Sequence, residues 1–124
     1  MRIFKTKGFS RWAKDEGILD EALQVAVMEI AEGKVEASLG GHVYKKRLAK
    51  SGRGKSGGWR TLLAFRIEDK AFFVYGFAKS SRANIGTREL KVLKLLAKEL
   101  LGYSDEQIAQ AITATELSEV ETND

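Results

Sequence analysis

The chain has 124 residues, 44% hydrophobic and 31% charged, with 21 Lys and Arg against 17 Asp and Glu for a net charge of +4. That is one domain's worth of chain with the composition of a soluble globular protein; with no cysteine and a single histidine, a disulfide framework and a Cys/His zinc site are excluded. No apolar run reaches the length of a membrane span, and the start, MRIFKTKGFSRW, lacks the apolar core of a signal peptide, so a cytoplasmic protein without membrane contact is expected.

In chain order, residues 2–5 read as a short strand. Ser10 is placed to cap a short helix that runs through Lys14 and Asp15 and stops at Gly17. Asp20 opens a longer helix in which Leu19, Leu23, Ala26 and Ile30 recur at near-helical spacing, widened by Ala22 and Val27 and closed by Gly33. Residues 43–48 form a short, charged strand. Next, WRTLLAFRIE over 59–68 alternates Trp59, Thr61, Leu63, Phe65 and Ile67 with Arg60, Leu62, Ala64 and Arg66. Glu68-Asp69-Lys70 is a tight turn, and AFFVYGFA over 71–78 is a near-continuous apolar strand, central and buried on both faces. The two strands predict an antiparallel hairpin.

Thr87 is expected to cap a helix whose Leu90, Leu93, Leu96, Ala97 and Leu100 face the core and which ends at Gly102. Ser104 with Gln107 makes a capping box for a last short helix. The order βααβββαα describes a short sheet with helices on one side, an α+β fold. From Glu99 to Asp124 there are seven acids and no Lys or Arg, which reads as a solvated acidic end.

The functional signal lies between Tyr44 and Arg60, in YKKRLAKSGRGKSGGWR. Seven cations (Lys45, Lys46, Arg47, Lys50, Arg53, Lys55, Arg60) are interleaved with four glycines, and no acid is present. Glycines let backbone N–H groups approach an anion while flanking cations neutralise it; a run of this kind suits a nucleic-acid backbone. Residues 49–56 nearly spell a phosphate-binding P-loop, but a strand pattern follows where that loop requires a helix. His42, after two glycines, suits a turn. Trp12, Phe72 and Phe73 suit the core, as does Trp59 in preference to base stacking.

A second basic group, Lys79 and Arg82, follows the apolar strand. In the predicted hairpin Arg60 lies across from Lys79, with Lys55 in the loop beside them. Lys45 and Arg47 join if their strand pairs with that of Arg60. Cations from three segments would then meet at one end of the sheet.

The G-R-G-K-S-G-G-W-R-T run, the hairpin, the FVYGFAK strand end and the Leu-rich helix after it resemble the RelE/ParE superfamily of bacterial type II toxins, nearest its RelE/HigB-like branch. The resemblance covers about residues 1–102, taken as the toxin domain, with 103–124 as a short C-terminal helix and acidic tail. It implies an endoribonuclease that cleaves mRNA on the ribosome by attack of a ribose 2′-hydroxyl on its own 3′ phosphate. It also implies a cognate antitoxin encoded in the same operon, and no cofactor or metal. Lys55, Arg60, Lys79 and Arg82 carry over as catalytic residues, with Arg60 and Lys79 on the phosphate; Lys45, Lys46, Arg47, Lys50 and Arg53 carry over as RNA-positioning contacts. Crowded cations lower each other's pKa, which makes Lys55 or Lys79 a candidate base. This chain departs from many relatives in having Phe77 where they place a tyrosine. Two alternatives stay open: a ParE-like inhibitor of DNA gyrase, and a non-catalytic RNA- or protein-binding module of the same fold.

Overall fold

The computed structural model describes residues 1–48, 58–67, 69–78 and 84–121. Its centre is the expected hairpin, β4 (Trp59–Arg66) antiparallel to β5 (Lys70–Ala78). Outside β4 lie β3 (Val43–Leu48) and then β2 (Ala37–Gly40), each antiparallel to its neighbour. On the other flank β1 (Arg2–Thr6) pairs in parallel with β5, and β6 (Leu117–Glu119) runs antiparallel to β1. The order among the described residues is therefore β2-β3-β4-β5-β1-β6, a mostly antiparallel α+β sheet with β5 inside it.

Helices cover both faces of this sheet, which corrects the expected one-sided layer. On one face α1 (Lys7–Glu16) and α2 (Asp20–Ala31) bring Phe9, Leu23, Ala26 and Ile30 against Leu63, Phe65 and Phe73. On the other, α3 (Thr87–Leu101) and α4 (Asp105–Thr113) bring Ala97, Leu100 and Ile108 against Phe4, Leu62, Ala64 and Phe72. Phe72 and Phe73 are successive in β5, point to opposite faces and are both fully buried, so each side of the strand needs its own layer.

Local signals account for the helix ends. Thr6, not Ser10, caps α1 by accepting the Phe9 amide at 3.3 Å, and Gly17 closes it in the left-handed conformation. α3 is capped by Gly86, whose amide donates to Glu89 Oε1 at 3.2 Å; Thr87 is the first helical residue. The Ser104–Gln107 capping box forms as the sequence predicts, with bonds of 2.8 and 3.1 Å. Across the sheet, Trp12 of α1 lies against Gly76, where an added Cβ would fall 2.2 Å from the indole ring. Only glycine allows that approach.

Two strands escaped the sequence pattern. β2 is four residues long and carries a bulge between Ser38 and Gly40. β6 lies in the acidic end, so part of that end belongs to the sheet. Leu117 and Val120 are buried there, and the Val120 amide donates to Ile3 O at 2.8 Å. Arg2 fastens it by a two-pronged contact to Glu119, with Nε to Oε2 at 2.9 Å and Nη2 to Oε1 at 3.0 Å. That contact holds the Glu119 carboxyl below its ordinary range.

Candidate nucleic-acid interface

The basic face is built where β3, β4 and β5 lie side by side. Arg47 and Arg60 are direct cross-strand partners, as are Arg60 and Phe77. Side chains alternate faces along a strand, so these three share the face of Leu62 and of α3. The next row along that face holds Lys45, Leu62 and Tyr75. Lys45 and Arg47 thus join Arg60 as the predicted pairing requires.

The register differs from the expected one. Arg60 faces Phe77 rather than Lys79, because the turn lies one residue earlier than expected, with Arg66 already opposite Lys70. The extra residue that β5 accommodates where Leu62 pairs with Tyr75 but Leu63 with Phe73 moves the partner of Arg60 only from position 76 to 77. Lys50, Arg53, Lys55, Lys79 and Arg82 lie outside the described residues.

Lys46 does not belong to this face. It alternates with Lys45 and Arg47 and points to the α2 side, where its ammonium meets Glu29 at 3.1 Å and the Lys34 carbonyl at 2.9 Å. That makes it a tie between β3 and α2. Trp59 is likewise a core residue, with its indole N–H donating to Glu16 at 2.8 Å. His42 sits at φ 62° in the β2–β3 turn.

Arg60 is itself only 8% exposed. Its Nε donates to Glu36 Oε1 at 3.0 Å and lies 2.9 Å from Oε2. Its Nη1 is buried and has no acceptor among the described residues. A buried donor left unsatisfied costs about 1–3 kcal/mol, so the arrangement is not one that stability alone selects. Glu36 lies 24 residues earlier and plays no part in the sequence reading. The one available signal is that it is an isolated acid shortly ahead of an acid-free basic run.

Phe77 is buried beside Arg60, and its ring stands 6.1 Å from that of Tyr75. The Tyr75 hydroxyl is engaged with Glu89 at 3.2 Å. The aromatic wall next to the guanidinium is therefore apolar, and the nearer hydroxyl is tied to α3. Among the described residues no group of His, Asp or Glu is arranged to hold a metal ion, and no helix is long and apolar enough to cross a membrane.

The fold is a two-faced α+β domain with paired arginines at one sheet end. A family model described as the RelE toxin of the RelE/RelB toxin–antitoxin system matches residues 1–120, and the chain belongs to that family. The match runs beyond residue 102, where the resemblance fades, and takes in α4 and β6. Among curated proteins no sequence match is found. Membership makes the protein a toxin of a toxin–antitoxin system and implies a cognate antitoxin as its partner.

Proposed function

We propose that the protein is a ribosome-dependent mRNA endoribonuclease, acting in the bacterial cytoplasm and held inactive by an antitoxin encoded beside it. The observation that carries this reading is the buried Arg60 guanidinium, set beside Arg47 with one nitrogen lacking an acceptor among the described residues. Lys50, Arg53 and Lys55 lie in the sequence between β3 and β4, and Lys79 and Arg82 follow β5. Such a gathering suits a phosphodiester better than it suits a flat protein contact.

The chemistry is the one the family resemblance implies, and the clustered charge suits it. The ribose 2′-oxygen attacks the adjacent 3′ phosphorus, losing its proton as the new P–O bond forms. The P–O5′ bond breaks and the departing 5′-oxygen gains a proton, which leaves a 2′,3′-cyclic phosphate and a 5′-hydroxyl. Negative charge peaks on the non-bridging oxygens in the phosphorane-like transition state. Arg60, with Lys55 and Lys79, stabilises it, and removal of one such donor costs on the order of 10²–10³ in rate. Lys45, Arg47, Lys50 and Arg53 hold the RNA backbone, and Arg82 adds a contact to the phosphate. Lys46, tied to Glu29, contributes to the fold rather than to RNA.

Induced expression in bacteria with 5′-end mapping of cellular mRNA tests the proposal. Growth arrest accompanied by cuts in translated frames, both abolished by Arg60→Ala, is the expected result. Arrest without cuts, or arrest that survives the substitution, overturns it in favour of a protein target such as gyrase.

A further inference from the structure

Glu36 is held by backbone before its side chain does anything. Its amide donates to the Lys45 carbonyl at 3.0 Å, which seats it just ahead of β2 on the edge of the sheet. From there its carboxylate reaches Arg60 on β4, with both oxygens within 3.0 Å of the single Nε.

The manner of the contact is informative. An arginine that meets a carboxylate for stability commonly uses its fork, two parallel N–H donors on two oxygens. Arg2 does so with Glu119 in this same chain. Arg60 gives Glu36 only the Nε corner, and Nη1 is left buried with no acceptor among the described residues. Its row neighbours, Arg47 and Phe77, present a second guanidinium and an apolar ring.

We infer that Glu36 is the positioning residue for Arg60: it clamps the Nε corner so that the guanidinium is held in one fixed rotamer, beside Arg47, for a phosphate of the RNA. The inference rests on the nuclease reading and names a residue that acts through Arg60 without touching the substrate. An arginine side chain is flexible, and a donor misplaced by about 1 Å loses on the order of 10²-fold in rate. Glu36 removes that freedom before substrate arrives.

A carboxylate at this position has a second chemical use, as the acceptor of the 2′-hydroxyl proton. One substitution separates the two roles. Glutamine keeps an oxygen that accepts the Nε–H but takes no proton. Single-turnover cleavage of mRNA on programmed ribosomes is measured for wild type, Glu36→Ala and Glu36→Gln, together with ribosome affinity and thermal melting. Glu36→Ala should lose about 10²-fold in rate with affinity within about twofold of wild type. Glu36→Gln should stay within about tenfold of wild type and keep the shape of the pH–rate profile.

Equal loss in Gln and Ala, with one limb of the profile gone, overturns positioning in favour of proton transfer. A Glu36→Ala rate equal to wild type makes the pair structural only and also overturns it. Should Glu36→Ala fail to fold, Glu36→Asp carries the same comparison, because it keeps the charge and withdraws the oxygens by one methylene; an undiminished Asp rate overturns the clamp. A wild-type protein that cuts nothing on the ribosome overturns the nuclease reading itself, whatever the Glu36 variants do.

Discussion

Arg60 and Arg2 each meet a glutamate from a distant part of the chain, with Nε 2.9 Å from a carboxylate oxygen in both cases. The pairs lie toward opposite ends of β5, since Arg60 pairs with Phe77 and Arg2 with Lys70. Their side chains are 10% and 32% exposed for Arg60 and Glu36, against 44% and 39% for Arg2 and Glu119. The exposed pair engages the whole fork and fastens β6 to the sheet. The pair with the buried arginine uses one corner and leaves a donor over. Distance alone does not tell a tether from a poised group; burial and the unused donor do.

Arg60→Ala breaks the comparison most sharply. We expect cleavage on the ribosome to fall by about 10²–10³ in a single-turnover assay, whereas Arg2→Ala leaves the rate within about twofold. A similar loss in both would mean that either substitution acts only by loosening the sheet. Next in size is Gly76→Ala, which drives a methyl into Trp12 and should destabilise the fold by about 1–3 kcal/mol in urea denaturation. An unchanged midpoint would show that the indole moves aside without cost.

Lys46 and Arg47, adjacent in β3, sharpen the comparison between the two faces. Lys46→Ala removes the contact to Glu29 and should cost about 1 kcal/mol of stability without changing the salt dependence of RNA binding. Arg47→Ala should reduce the slope of log affinity against log salt by about 1. Exchange of these two outcomes would reverse the assignment of faces.

The smallest expected effect belongs to Glu119. Because Arg2 holds its folded carboxyl below the ordinary range, the pair's contribution is fully present above the unfolded value. It is lost as pH falls through the lower folded one. Glu119→Gln should therefore cost no more than about 1 kcal/mol at pH 7, and the difference from wild type should close as pH falls below the ordinary carboxylate range. A gap that persists in acid would assign the effect to packing rather than to charge.

The hairpin was legible because Leu63 and Phe65 alternate with Leu62 and Ala64 and the next strand is apolar throughout. That second strand also held the information that was missed. Phe72 and Phe73 cannot both be buried under helices on one side, so a doubly apolar strand already requires α1 and α2 on the face opposite α3. β2 and β6 were illegible for a different reason, since four- and three-residue strands have too few alternations to show a period. The Arg60–Lys79 register failed at the turn, which closes with Arg66 opposite Lys70, one residue ahead of the expected position. Of the candidate site, the Arg47–Arg60 pairing could be read from strand order. The Glu36 contact could not, because it depends on how an edge strand unseen in the pattern brings a side chain across β3.

The most direct test of the central claim uses purified protein, a defined mRNA and ribosomes programmed with it, with the mRNA alone as the comparison and the chemical ends of the products identified. The account predicts cuts only on the ribosome, leaving a 2′,3′-cyclic phosphate and a 5′-hydroxyl, and their loss in Arg60→Ala. Intact mRNA with wild-type protein on programmed ribosomes, or equal cutting by Arg60→Ala, would contradict it.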